Sequence, residues 1–171
     1  FRGMFAFAIY DKLKKKLILA RDPFGIKPLY FVKKNNTFYF ASQIKSLLSI
    51  KNCSFTLSKA AMCSYYLWGH IQDPFTLYNE IKSLDKGSIK IIDVDGNEKN
   101  IKYCSIKKEL LNSNNNQINE VDALDYLKDS LDNSLKYHQI ADVPITLLLS
   151  SGIDSNVLLA ATSEKKNKNL N

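Results

Sequence analysis

The nine residues from Leu147 to Ser155, LLLSSGIDS, constrain this chain more than any other stretch. An apolar strand-like run enters a short Ser/Gly turn, and the turn ends in Asp-Ser at the start of a helical pattern. N–H groups in such a turn and in a first helical turn lack internal partners and carry partial positive charge, which suits phosphate oxygens. Ser150, Ser151 and Ser155 add hydroxyl donors, and Gly152 is expected to supply close backbone approach and a positive φ. A carboxylate at Asp154 among phosphates implies a hard divalent cation, such as Mg²⁺, between them. The competing reading is a buried strand, a turn and an Asp helix cap. The stretch lacks the Gly-Lys-Ser/Thr ending of the common P-loop and the three-glycine dinucleotide fingerprint.

The loop resembles the SGGxDS pyrophosphate loop of the ATP pyrophosphatases, and Ala141 to Pro144, ADVP, resembles the SDVP that leads into it in glutamine-hydrolysing asparagine synthetases. Further segments are similar to the glutaminase domain of that family, in the same order. They are GMFAFAIYD (Gly3 to Asp11), ARDPFGIKPLYF (Ala20 to Phe31), FASQIKSLL (Phe40 to Leu48) and LYNEIKSLDKGSIKII (Leu77 to Ile92). The resemblance covers nearly the whole chain apart from the Asn-rich stretch near Asn112 to Asn119.

The resemblance implies an α+β fold: the C-terminal part of an N-terminal-nucleophile glutaminase sandwich with antiparallel sheet, followed by the start of an α/β adenine-nucleotide alpha-hydrolase-like domain. The expected division is a glutaminase-like part over 1–106, a link over 107–119 and the beginning of the synthetase domain over 120–171. It also implies a reaction in which ATP adenylates aspartate and glutamine-derived ammonia displaces AMP to give asparagine. ATP and Mg²⁺ are the implied cofactors. Glutamine, ATP and aspartate, or another carboxylate such as a sugar acid, are the implied small-molecule partners, and a homodimer is a possible assembly.

Leu149, Ser150, Ser151, Gly152, Asp154 and Ser155 match the motif and would bind ATP and its pyrophosphate, with Asp154 holding Mg²⁺ through the pyrophosphate. Three departures accompany the match: Ser151 replaces a glycine, Thr146 replaces a glycine in the strand, and Asn156 replaces a serine. A serine held at positive φ would carry about 1 kcal/mol of strain. Gln43 stands where the family usually has Glu. The glutaminase cysteine, its Arg, its Asn-Gly pair and its glutamine-binding Asp are expected upstream of Phe1, so the chain is expected to be an internal fragment, inactive alone. No glutaminase catalytic residue is assigned within it.

The residues themselves narrow the alternatives. Across 171 residues, 45% hydrophobic content is that of a globular protein. No apolar run approaches the roughly 20 residues that span a bilayer, and no secretory signal pattern opens the chain, so a cytoplasmic location is expected. The formal charge of +7 comes from dispersed lysines, concentrated in turns and near the C-terminus, so no nucleic-acid partner is expected. That disfavours a tRNA-modifying ATP pyrophosphatase, which would also leave the segments before Ile92 unexplained. A degenerate homologue that keeps the fold without binding ATP is the third alternative. Cys53, Cys63 and Cys104 are odd in number and far from His, and read as buried small hydrophobes. His70 and His138 stand apart from any catalytic arrangement.

Period-two runs predict hairpins over Phe5–Tyr10 with Leu17–Ala20, Leu29–Val32 with Thr37–Ala41, and Ser88–Val94 with Glu98–Tyr103 around Asp95-Gly96. Ser42 is expected to open a helix to Leu48, and Ser58 to cap one to about Trp68. Trp68 and the tyrosines are expected in the core or at a domain interface. Leu124, Leu127, Leu131 and Leu135 mark an amphipathic helix over about Val121 to Tyr137. Val143 to Leu149 is expected as a buried strand, and Arg21 and Asp22 as structural ion pairs or caps.

Overall fold

A computed structural model describes residues 1–34, 36–113 and 119–168, with side chains through 163. The backbone separates into two compact units: residues 4–113 form one, and residues 1–3 with the chain from 114 onward form the other. The Asn-rich link expected at 112–119 falls for the most part, at 114–118, outside the described residues.

The larger unit is built from two antiparallel sheets. The first has the strand order β1 (Ala6–Asp11), β2 (Lys16–Arg21), β6 (Ser88–Asp93), β7 (Glu98–Lys102). The second has the order β4 (Thr37–Ala41), β3 (Tyr30–Lys34), β5 (Lys82–Ser83). All three predicted hairpins form, with Asp11 opposite Lys16, Lys34 opposite Thr37 and Ile92 opposite Glu98. Asp11 closes the first turn by accepting the Leu13 and Lys14 N–H groups. Gly96, at φ +80°, supplies the left-handed residue in the third.

Strict alternation explains how the sheets face each other. Along β6, Ser88, Lys90 and Ile92 are buried while Ile89, Ile91 and Asp93 are not. Leu17 and Leu19 of β2 stand opposite Ile92 and Lys90. Leu19 and Ile92 pack with Leu29 and Leu84, and Phe31 and Phe38 of the second sheet close over that cluster. On the other face of the second sheet, Val32 meets Leu47 of α1 (Ile44–Leu48) and Ile81, with Tyr30, Tyr39 and Ile44 around them. The order is therefore sheet, sheet, helix.

A charge lies between the sheets. Lys90, 6% exposed, donates to Glu98 Oε2 at 2.7 Å and sits 4.9 Å from the centre of the Phe31 ring. Lys33 approaches the other Glu98 oxygen at 3.6 Å. The hydrogen bond from Lys90 holds the Glu98 carboxyl below the usual glutamate range, against an opposing push from burial, and the Lys90 and Lys33 charges add to it. The folded value lies below the unfolded one, so the stabilisation is present above the ordinary glutamate pKa and is lost as pH falls through the folded value. We expect Glu98→Gln to flatten the acid limb of a stability-against-pH curve and to destabilise most near neutral pH. Urea unfolding at several pH values checks it.

Three helices start as caps dictate. Ser58 accepts the Ala61 N–H and opens α2 (Lys59–Trp68), which ends on Gly69 at φ +72°. Asn119 accepts the Asp122 N–H and opens α4 (Glu120–His138) of the smaller unit. Ser42 does not cap α1: Gln43 holds that position and makes no side-chain cap bond. Part of the expected link is helical instead, as α3 (Ile106–Asn112), because Ser105 caps it by accepting the Lys108 N–H.

The core expectation fails for α2. Tyr65, Tyr66 and Trp68 are 56%, 82% and 66% exposed, and only Ala61 of the helix is buried. The spacing of these aromatics is helical, but only the Ala61 side of the helix is covered. The cysteines differ too: Cys63 is exposed, Cys53 and Cys104 are half-buried, and all three are free thiols.

In the smaller unit, α4 carries the predicted leucine repeat, with Leu135 buried, Leu131 half-buried, and Leu124 and Leu127 exposed. The extended segment 143–149 and α5 (Ile153–Lys168) follow. Val143–Leu149 is not the buried strand expected from its composition: it forms no ladder, and Leu148 is 89% exposed. A parallel strand takes its pairing from neighbouring βαβ units. No other strand is present among the described residues of this unit.

Candidate functional site

The turn after Leu149 is exposed from Ser150 to Asp154, and Ser155 is half-buried. Helix α5 begins at Ile153, which makes Asp154 a first-turn residue. A carboxylate there suits the positive end of a helix and remains available to a ligand or cation.

Side chains from the helix hold the turn. Ser155 Oγ lies 3.1 Å from both the Ser150 and the Gly152 carbonyl oxygens, and it accepts the Ser150 N–H at 3.2 Å. Asn156 Nδ2 donates to the Gly152 carbonyl at 2.8 Å. The Gly152 N–H turns inward to Ser150 Oγ at 3.1 Å, and the Ser150 and Ser155 hydroxyls meet at 3.0 Å. The Asn156 N–H reaches the Gly152 carbonyl at 3.4 Å. Among the described residues, the N–H groups of Ser151, Ile153, Asp154 and Ser155 have no acceptor. The turn therefore keeps the Ser150 and Gly152 carbonyls on its own side chains and leaves a run of donors unsatisfied, an arrangement that suits an anion.

An expectation about the backbone is corrected. Neither Gly152 nor Ser151 adopts a positive φ; among the described residues, the non-glycine positions that do are Lys15, Asn36 and Asn52. Ser151 is thus a serine in an ordinary conformation, and the condition under which it would be strained is not met. A Cβ on Gly152 would meet only Ser150 Oγ, at 3.1 Å, so glycine serves close approach there, not handedness. Asn156 is the residue that reading by motif misses as a contributor. Its signal is its place four residues after Gly152, where an amide reaches the i−4 carbonyl.

Leu149 is 56% exposed beside the turn. An apolar cavity of about 460 Å³ opens nearby, lined by Leu135, Val143, Ile145, Leu147 and Leu158 with Gln139, Thr146 and Thr162. Gln139 Nε2 donates to Thr162 Oγ1 across it at 3.0 Å. The donor chemistry fits a hard cation. Asp154 offers carboxylate oxygens, the donor type such a cation takes, and no group of three or more His, Cys, Asp or Glu gathers among the described residues.

Arg21 and Asp22 sit in the larger unit and are structural. Asp22, fully buried, accepts the Phe24, Ile26 and Lys27 N–H groups. Burial pushes its carboxyl up, but those N–H groups outweigh that and leave it below the usual aspartate range. Arg21 reaches Lys27, Gly25, Ser83, Leu84 and Asp73 from the same corner. His70 and His138 bond only to nearby helical or turn groups.

Residues 1–104 match the family described as "Glutamine amidotransferase domain", and residues 126–171 match "Asparagine synthase". The chain belongs to the glutamine-hydrolysing asparagine synthetase family. It is 36% identical over 163 residues to asparagine synthetase [glutamine-hydrolyzing] 1 of Bacillus subtilis, an alignment covering 95% of this chain and 25% of that protein. With asparagine synthetase B [glutamine-hydrolyzing] of Escherichia coli it shares 30% identity over 164 residues, 95% of this chain and 24% of the relative. A putative asparagine synthetase [glutamine-hydrolyzing] 2 of Methanocaldococcus jannaschii is 29% identical over 175 residues, 96% and 32% of the two chains. The family member described here thus spans 24% to 32% of the length of these relatives.

The mixed helix and antiparallel sheet of residues 4–113 accords with the amidotransferase match, and the loop lies inside the Asparagine synthase match. None of the described helices is long and apolar enough to cross a membrane.

Proposed function

We propose that this chain is an internal part of a cytoplasmic enzyme that forms asparagine from aspartate, ATP and glutamine. In that reading residues 1–106 belong to the glutaminase-like domain, 107–119 link it to the next, and 120–171 begin the synthetase domain. The observation that carries the reading is the loop from Ser150 to Ser155, with the Ser150 and Gly152 carbonyls held internally and the N–H groups of Ser151, Ile153, Asp154 and Ser155 free, within the Asparagine synthase match.

Leu149, Ser150, Ser151, Gly152, Asp154 and Ser155 are the residues assigned to ATP. The free N–H groups of Ser151, Ile153, Asp154 and Ser155 take the phosphate oxygens, and the Ser151 hydroxyl, exposed beside them, adds a donor. Leu149 offers apolar surface to the nucleoside side of the ligand. Asp154 holds Mg²⁺ through the pyrophosphate, and the cation supplies charge neutralisation of the leaving group when bound. The chain's own contribution is to fix the β- and γ-phosphates while the α-phosphorus stays open to attack.

The chemistry needs that arrangement. A carboxylate is a poor acyl donor because an oxide must leave; once the aspartate oxygen attacks the α-phosphorus and pyrophosphate departs, AMP becomes the leaving group. Ammonia then adds to the acyl carbon, AMP leaves with the bond electrons, and a proton is lost to give the amide. Glutamine hydrolysis supplies the ammonia, and none of the residues from 1 to 171 is assigned to that step.

Oxygen-18 in the side-chain carboxylate of aspartate tests this path. With full-length protein, glutamine and MgATP, the expected result is AMP carrying one labelled oxygen. Unlabelled AMP would exclude attack by aspartate on the α-phosphorus, and turnover only with a different carboxylate would move the acceptor to that compound.

A further inference from the structure

Two carbonyls of the loop, those of Ser150 and Gly152, are held by side chains that follow it, and Ser155 has one proton to offer them. Its Oγ is equidistant from both, at 3.1 Å. The Asn156 amide resolves the shortfall: Nδ2 donates to Gly152 at 2.8 Å and lies 3.4 Å from the Ser150 oxygen. With Asn156 on Gly152, Ser155 is released to cover Ser150. Both lone-pair-bearing groups are then tied back toward the helix, and the face of the loop toward the ligand presents N–H groups.

We propose that Asn156 is a positioning residue for the polyphosphate: it holds the Gly152 carbonyl so that the loop presents donors, without itself touching the nucleotide. This rests on the ATP-binding reading of the loop. Asparagine at this position differs from the serine of the resembled motif, so the role belongs to this chain and is not carried over with the motif.

The physical basis is electrostatic. A carbonyl released toward a phosphate brings a partial negative charge against full ones, and without the Asn156 amide Gly152 keeps only the 3.4 Å backbone N–H contact and a Ser155 hydroxyl shared with Ser150. Removing Asn156 therefore weakens ATP binding more than it slows the chemistry. A serine retains one hydroxyl able to reach its own i−4 carbonyl and restores the function with a single bond.

In full-length protein, pyrophosphate release is measured against MgATP concentration with aspartate and glutamine saturating, for wild type, Asn156→Ala and Asn156→Ser. Glutamine hydrolysis without ATP and the melting temperature are read on the same preparations. The expected result is a rise in KM for MgATP of about tenfold in Asn156→Ala, with kcat within about twofold, unchanged glutamine hydrolysis, and recovery in Asn156→Ser. An unchanged KM in Asn156→Ala, with or without a lower melting temperature, would overturn the proposal and leave Asn156 a helix brace. Wild-type protein that releases no pyrophosphate at any MgATP concentration would overturn the ATP reading itself, a failure distinct from an active wild type with an indifferent Asn156→Ala.

Discussion

Replacing Arg21 by alanine is expected to destabilise the larger unit by about 3–5 kcal/mol, much of the 5–15 kcal/mol that holds a typical domain folded. The guanidinium is buried at 6% exposure and uses all three of its nitrogens. Nη1 donates to Ser83 Oγ at 2.8 Å, the Leu84 carbonyl at 2.7 Å and Asp73 Oδ2 at 3.1 Å. Nε and Nη2 take the Lys27 and Gly25 carbonyls at 2.9 and 2.7 Å. Arg21 ends β2 of the first sheet and Ser83 ends β5 of the second, so one side chain ties both sheets and the turn between them. Truncation leaves several buried acceptors unpaired at once. Lysine cannot rescue it, because an ammonium lacks the planar fork that reaches acceptors on separate sides.

Gly25 belongs to the same corner. It sits at φ +69°, and a Cβ there would meet the Arg21 guanidinium at 3.1 Å. Urea unfolding followed by near-ultraviolet circular dichroism measures the loss in Arg21→Ala; a change below about 1 kcal/mol would contradict the clamp.

The second large effect is on chemistry. Asp154→Ala is expected to lower aspartate-dependent pyrophosphate release by at least about a hundredfold, because one carboxylate is asked to anchor the cation that neutralises the leaving pyrophosphate. Its position in the first turn of α5, exposed, means that alanine removes no packing, so the melting temperature stays close to that of wild type. Glutamine hydrolysis is expected to survive, since Asp154 lies in the Asparagine synthase match and outside the amidotransferase match. Retained pyrophosphate release in Asp154→Ala would remove the cation from this residue.

What was legible in the sequence was local. The hairpins announced themselves by alternation and by turns such as Asp95-Gly96, and α4 by the spacing of Leu124 to Leu135. Ser58 was readable as a cap because its partner, Ala61, is three residues away. What was illegible depends on residues distant in the chain. Strand β5 is two residues long and exists only through pairing with β3. The Arg21 partners Asp73, Ser83 and Leu84 lie 52 to 63 positions onward, so its role reads only as a generic cap or ion pair.

Composition also misled where burial was inferred from it. The apolar run Val143–Leu149 predicts a strand, but a strand needs a neighbour to pair with. Trp68, expected in the core or at a domain interface, is exposed on α2 and so does not belong to the core. At the loop, residue identities point to a phosphate, yet the positive φ expected of Gly152 is absent, and Ser151 does not meet the condition under which it would be strained. The turn is set instead by side chains that follow it, Ser155 and Asn156.

The most direct test is pyrophosphate release by full-length protein with MgATP and glutamine, with and without aspartate. Release is expected to require aspartate and to yield asparagine in equal amount. Release at the same rate without any carboxylate acceptor, or none with aspartate while glutamine is hydrolysed, would contradict the proposed reaction.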